Sequence, residues 1–341
     1  MSALAFLGIR AAKQVRSAFA LWAWGAKAAH AAINAEVLHA HDLSGGIPAL
    51  FAADASQAVI VYDSHEVFLE SGHWARAPRH LRRLLASQIE RPLLRRAASL
   101  ITVNPAVEAV LADRYEIPKR RAIVYNCVEP IASTTRPREL REAIGVGDET
   151  PVALYHGGFS PVRGLRQIID AAVDPRLTKI HIAFLGYGPM EAELRKLAAR
   201  PDVAGRVHVL KAVSPEVLDR WVAGADVGLM PNQHETLNEY VSTPNKLFES
   251  IGVGTPVVSS DFPERRRIIL EGPEGPLGAL CNPADPTDIA RAILEVIGGT
   301  TADREGYRAR CRAAALERWN WEVQAARLTE VYATLQASEG A

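Results

Sequence analysis

Short apolar, β-branched runs recur along the chain, separated by longer stretches in which apolar residues return every three or four positions. Val37-Leu38-His39-Ala40, Ala58-Val59-Ile60-Val61-Tyr62, Leu100-Ile101-Thr102-Val103 and Ala122-Ile123-Val124-Tyr125 make a first series. Val152-Ala153-Leu154-Tyr155, Ile180-His181-Ile182-Ala183-Phe184, Val207-His208-Val209-Leu210, Val227-Gly228-Leu229-Met230 and Pro256-Val257-Val258-Ser259 make a second. Such compact apolar runs fit strands buried on both faces, and the helical stretches between them supply the crossovers that parallel strands require. The pattern predicts two α/β units, with four strands in the first and five in the second. Between Val128 and Pro151 the chain turns rich in Pro, Ser, Thr and charge, which reads as a linker leading into a short helix. Trp321, Val323, Ala326, Leu328, Val331 and Leu335 then recur at mostly helical spacing and predict an amphipathic terminal helix over Trp319 to Leu335.

Composition narrows the class. A chain of 341 residues, 48% hydrophobic and 23% charged, has the apolar material for two cores. Its 39 basic and 39 acidic residues leave no net field to hold a phosphate backbone, so nucleic acid is not an expected partner. Cys127, Cys281 and Cys311 are odd in number and far apart, which suits a reducing, cytoplasmic compartment. The opening is basic: Arg10, Lys13, Arg16 and Lys27 precede the first acidic residue, Glu36, among alanines, Trp22 and Trp24. The longest uncharged run there, Ser17 to Ala26, is about half of the ~20 residues a membrane span needs. Residues 10–33 therefore have two readings: helices covering the sheet, or a peripheral contact with the inner face of a membrane.

Candidate chemistry gathers at a few segments. In Ser242-Thr243-Pro244-Asn245-Lys246-Leu247-Phe248-Glu249, Thr243 suits an N-cap and Pro244 the first helical position. The helix N-terminus, with Asn245 and Lys246, would offer an anion site, and Glu249 one turn on could accept hydrogen bonds from a sugar diol. The alternative is a capped helix with solvated charges. A second candidate anion site is His156-Gly157-Gly158-Phe159-Ser160-Pro161-Val162-Arg163, where paired glycines admit a ligand close to the backbone and Arg163 could clamp a phosphate oxygen. In the first half, His39-Ala40-His41-Asp42 and Asp63-Ser64-His65-Glu66 end successive strands and should open onto one crevice. No HExxH or similar spacing accompanies these histidines, so no metal is expected; nor is there a Gly-x-Ser-x-Gly elbow.

These segments, in order, resemble the retaining nucleotide-sugar glycosyltransferases of family 4. The resemblance runs from about Val37 to Tyr332 and is strongest at Val37–Asp42, Val61–Glu66, Gly157–Gly164, Gly186–Pro189, Ala225–Leu229 and Thr243–Asp261. It implies an α/β protein of GT-B fold, two Rossmann-like domains facing a cleft: an acceptor-side domain over 1–130, a nucleotide-sugar domain over 131–320, and a helix over 321–341 crossing back to the first. It also implies donor binding by Gly157, Gly158, Arg163, Thr243, Pro244, Asn245, Lys246 and Glu249, an acceptor side at His65 and Glu66, and His41 against the donor sugar. Catalytic work would fall to His41, Arg163 and Lys246. The chain departs from the family in three ways. Val241 stands where the first of two paired glutamates belongs, leaving that role to Glu239 or Glu235; a second cation beside Phe159 is absent; and the opening lacks the usual first strands, so the N-terminal domain is short of its full sheet.

The implied function is transfer of a sugar from a nucleoside diphosphate sugar to a carbohydrate or lipid-linked acceptor hydroxyl, with retention, in cell-envelope polysaccharide or glycolipid synthesis. A double displacement needs a carboxylate nucleophile at the anomeric carbon, and none is evident, so departure of the diphosphate with attack on the same face is the expected course. Cations and helix amides would carry the growing charge, so neither metal nor cofactor is expected. A non-catalytic or truncated relative, or a nucleotide-sugar epimerase or phosphorylase of the same architecture, is the alternative.

Overall fold

A computed structural model describes residues 23–339, apart from Ile33 and residues 132–134. The chain divides into two compact units, 1–124 with 327–341, and 125–326.

In the first unit β1 (Val37–His41), β2 (Val59–Ser64), β3 (Ala97–Thr102) and β4 (Arg120–Ile123) form a parallel sheet in that order. Val61, Ile101 and Val124 pack with Val331 and Leu335 of the terminal helix, Trp321–Glu339, whose residues from Arg327 belong to this unit. The helix after β3 starts where sequence chemistry dictates. Asn104 Oδ1 accepts the Val107 N–H at 2.8 Å, and Pro105 occupies the first turn, where its missing N–H costs nothing.

The second unit is a six-stranded parallel sheet of β5 (Val152–Gly158), β6 (His181–Tyr187), β7 (Val207–Lys211), β8 (Val227–Met230), β9 (Val257–Ser260) and β10 (Gly278–Cys281) in the order β10-β9-β8-β5-β6-β7. Alternate residues of β5 enter different cores: Ala153 and Tyr155 pack with Leu165, Ile168 and Ile293, whereas Val152 and Leu154 pack with Leu140, Ile144 and Val222. Both faces are covered, as the continuous apolar runs require. The five strands expected here are therefore six. Gly278-Ala279-Leu280-Cys281 has no β-branched or aromatic residue to mark it as a strand, but it completes the buried edge beside β9. Asp226, in one of the segments that carried the family resemblance, is structural: its carboxylate accepts from Arg141 at 2.6 Å, Arg136 at 2.9 Å and the Val152 N–H at 2.8 Å.

Strand order reverses at β5, which has β6 on one side and β8 on the other. Open α/β sheets bind ligands beyond the carboxyl ends of strands at such a switch point, where loops diverge to opposite faces and leave a crevice.

Candidate functional site

The chain leaves β5 through His156, Gly157 and Gly158 and turns at Pro161–Arg163. Gly164 follows with φ +72°, and a Cβ there would collide with the Pro231 carbonyl, so glycine alone lets this turn lie against the loop after β8. Gln233 N–H donates to Val162 O at 2.8 Å and fastens the two loops. Arg163 is held with its guanidinium about one-third exposed, Nη1 3.8 Å from Glu239 Oε2. Asn232 Nδ2 donates to the same oxygen at 3.2 Å.

The donor helix covers Asn245–Gly252, so the expected cap moves by one residue. Pro244, extended at φ −71° and ψ 142°, is the N-cap, its carbonyl accepting from Leu247 N–H at 2.9 Å, and no side chain caps the turn. Thr243 lies one residue before that cap, so the N-cap position expected for it falls to Pro244; Thr243 is buried. Asn245 is exposed. Lys246 is not a solvated cation: it is buried, and its Nζ has no hydrogen-bond partner among the described residues and stands 3.7 Å from the centroid of the Tyr155 ring. Burial drives its pKa well below the lysine range, with Arg163 and Arg265 pushing the same way and Glu249 and Glu239 opposing.

Glu249 lies one turn on, and its Oε2 accepts a 2.8 Å hydrogen bond from His156 Nε2. Burial lowers the His156 pKa, so the ring is the neutral Nε2–H tautomer, with Nδ1 left without a partner. Arg265 is fully buried and donates through Nη1 to Met230 O and Ser260 Oγ, each at 3.3 Å, and through Nε to Ser242 O at 3.4 Å. It ties the loop after β8 to the approach of the donor helix, and burial brings its pKa down to about 10. Arg163, Lys246 and Arg265 thus stand near Glu239 and Glu249. His156 was visible in the segment with the paired glycines but not singled out. Nothing in Pro263-Glu264-Arg265-Arg266-Arg267 separates the buried arginine from its neighbours.

The first unit holds its own cluster. Parallel register sets His41 beside Asp63, with His39 two residues back on the same face, its ring stacked on His41 at 4.4 Å. Asp63 Oδ2 lies 3.1 Å from His39 Nε2, 3.5 Å from His41 Nδ1 and 3.3 Å from His65 Nε2. His39 Nδ1 also bonds the Tyr332 hydroxyl of the terminal helix. Burial pushes the Asp63 carboxyl up, but the hydrogen bonds from His39 and His65 outweigh it and hold the pKa at about 2. The bond to Asp63 raises that of His65, while burial and the neighbouring His39 lower that of His41. Asp42 has φ +53°, unusual for a non-glycine, and its Oδ1 accepts the His65 N–H at 2.9 Å, so it fixes the His65 turn. His41, His65 and Glu66 fall at the ends of adjacent strands as expected, and Asp63 is the group at the cluster's centre.

A cavity of about 960 Å³ beyond the ends of β8, β9 and β10 contains none of the donor residues. Glu235 lines it, so of the two substitutes for the missing glutamate it is Glu239 that faces Arg163.

Residues 4–127 match the family described as Glycosyl transferase 4-like domain, and residues 150–298 match Glycosyl transferases group 1. The D-inositol 3-phosphate glycosyltransferase of Xylanimonas cellulosilytica is 30% identical over 212 residues, 60% of this chain and 47% of that one. The matches to three such enzymes cover only about half of their length. The phosphatidyl-myo-inositol mannosyltransferase of Mycobacterium tuberculosis is 27% identical over 315 residues, 89% of this chain and 75% of that one. Among solved structures, HepE of Anabaena in complex with UDP and glucose has a TM-score of 0.74 at 17% identity, covering 91% of this chain and 81% of that one. Matched in both halves by glycosyltransferase families and sharing its fold with HepE, the chain belongs to the family 4 glycosyltransferases, with two Rossmann-like domains of GT-B type.

Proposed function

We propose that the protein is a retaining glycosyltransferase that moves a hexosyl group from a nucleoside diphosphate sugar to an acceptor hydroxyl, carbohydrate or lipid-linked, in cell-envelope polysaccharide or glycolipid synthesis. The observation that carries this reading is the convergence of Arg163, Lys246 and a histidine-held Glu249 at the switch point beside β5. The relatives' names point the same way. Residues 131–320 would hold the donor and 1–130 the acceptor, with 321–341 returning to the first domain.

In this reading Glu249 takes the ribose hydroxyls, oriented by His156. Arg163, Lys246 and the first amides of the donor helix stabilise the negative charge that grows on the leaving diphosphate. Gly157 and Gly158 let the phosphates approach the backbone. Glu239 orients the sugar in place of the missing paired glutamate. His41 lies against the donor sugar, and His65 and Glu66 line the acceptor side. The acceptor attacks the face the diphosphate leaves, so configuration is retained without a carboxylate nucleophile. Turnover is independent of divalent metal, because the cations and amides already neutralise the leaving group.

No helix among the described residues is long and apolar enough to cross a membrane. Residues 10–33 are assigned a peripheral contact with an anionic membrane surface. The part of that segment before residue 23, and Ile33 at its end, lie outside the described residues.

The test is a thermal-shift screen of the purified chain against UDP, GDP, ADP and their sugars, followed by product analysis with the nucleotide that binds. Ligand at 100 times its dissociation constant should stabilise the fold by ~2.7 kcal/mol. A nucleotide sugar that binds and is turned over with retention, in EDTA, supports the proposal. Binding without transfer or hydrolysis favours a non-catalytic relative, and loss of turnover in EDTA restored by manganese or magnesium overturns metal independence.

A further inference from the structure

Three imidazole nitrogens at the carboxyl ends of β1 and β2 crowd a single carboxylate oxygen. His39 Nε2, His41 Nδ1 and His65 Nε2 stand 3.1, 3.5 and 3.3 Å from the same oxygen, Asp63 Oδ2. His41 Nδ1 and His65 Nε2 are themselves 3.1 Å apart. A neutral imidazole has a single N–H. If His41 and His65 both direct theirs at Asp63, two donors face each other; if either does not, its lone pair faces the carboxylate. A cation at the common point turns every one of these atoms into a ligand.

The spacing fits such an ion. Zinc binds imidazole nitrogen and carboxylate oxygen at ~2.0–2.2 Å, which places neighbouring ligand atoms of a tetrahedron about 3.3–3.6 Å apart. Four of the six edges of such a tetrahedron run from 3.1 to 3.5 Å, and the ligand atoms of His39, His41 and Asp63 all lie within 4.8 Å of one another. The outer partners match too. The second nitrogen of His39 meets the Tyr332 hydroxyl, as the free nitrogen of a ligating histidine usually meets a hydrogen-bonding group, and Asp42 fixes the backbone of His65.

We propose that His39, His41, His65 and Asp63 form a binding site for a divalent transition metal ion of the zinc class. Three imidazoles and one carboxylate select zinc, cobalt, nickel or copper over magnesium and calcium. The site is distinct from the groups that stabilise the leaving diphosphate, and its existence does not depend on the transfer reaction. Where the donor sugar uses His41 or the acceptor uses His65, as the proposed function has it, ion and substrate exclude each other.

The test titrates Zn²⁺ into the chelator-stripped full chain against a chromophoric chelator, and follows Co²⁺ by its visible spectrum. One ion per chain is expected, with the intense bands of tetrahedral Co²⁺. His41→Gln, at a mostly exposed position, and His65→Gln should each weaken binding at least tenfold with the melting temperature of the metal-free protein little changed. His208→Gln, at a separate pair in which His181 and His208 ring nitrogens are 2.9 Å apart, should leave it unaltered. Binding no tighter than that of a lone surface imidazole, or binding that survives both His41→Gln and His65→Gln, overturns the proposal, as does binding that moves with His208.

Discussion

His156 holds Glu249 from beneath: a buried, neutral ring donates from Nε2 to Glu249 Oε2 at 2.8 Å, while the carboxylate itself stays about one-third exposed. One oxygen is committed to the protein, and the rotamer of the group proposed to meet the ribose is fixed before ligand arrives. Truncating His156 to Ala should weaken nucleoside diphosphate binding by up to about 1.5–3 kcal/mol, the range for a hydrogen bond to a charged group. Calorimetry on His156→Ala, Glu249→Ala and the double variant checks this. If the histidine acts through the glutamate, the double variant loses little beyond Glu249→Ala alone; additive losses refute the coupling.

Among the described residues Arg163 reaches no carboxylate closer than Glu239 at 3.8 Å, so its guanidinium is available to a diphosphate. Arg163→Ala should weaken the diphosphate by ~1.5–3 kcal/mol and the matching nucleoside hardly at all. Equal affinity of wild type and variant for the diphosphate removes Arg163 from the site.

Much of this architecture was legible from the chain, and the misses share a cause. Strand β4 opens on two exposed arginines and shows only at Ala122 and Ile123, whereas β2, β3, β5, β6, β8 and β9 announce themselves because apolar residues crowd any strand buried on both faces. Gly278–Cys281 does not, since its burial comes from the neighbours that cover it rather than from its own propensity. Arg163, Lys246 and Glu249 could be read as a set through family resemblance, but the state of Lys246 could not. Whether a lysine is solvated or buried over Tyr155 is decided by residues about ninety positions away. Asp63 was overlooked for the same reason: its importance lies in the parallel register that sets it beside His41, and no local spacing encodes that.

The buried lysine makes stability depend on pH. Its folded-state pKa is depressed, so between that value and the ordinary lysine range, ~10.4, the unfolded chain binds more protons than the folded one, and stability rises with pH. The groups acting on it are Arg163, Arg265, Glu249 and Glu239. Urea unfolding from pH 7 to 10.5 should show Lys246→Met more stable than wild type at the low end and the gap closing towards the high end. A gap that stays constant, or widens, rules this out. Within that pH window diphosphate binding should draw a proton onto Lys246, so calorimetry there in two buffers of different ionisation enthalpy should find proton uptake by wild type and none by Lys246→Met.

The basic opening yields the last prediction. In the described part of that segment Trp24 is 49% exposed and Lys27 is exposed, while Gly25 packs towards Ile47, where a Cβ would come within 3.2 Å of Cγ2. One side of residues 23–31 therefore meets the first unit and the other carries a tryptophan and a cation, which is how a helix lying on a bilayer is arranged. Arg10, Lys13 and Arg16 add charge of the same sign, with no acidic residue before Glu36. At about 1 kcal/mol per cation near an anionic surface, four cations support reversible docking. Co-sedimentation should find the protein on vesicles containing anionic lipid and not on neutral ones, with binding falling as salt rises. Replacing Arg10, Lys13, Arg16 and Lys27 by Gln should abolish it. If no vesicle retains the protein, the segment serves only to cover the sheet.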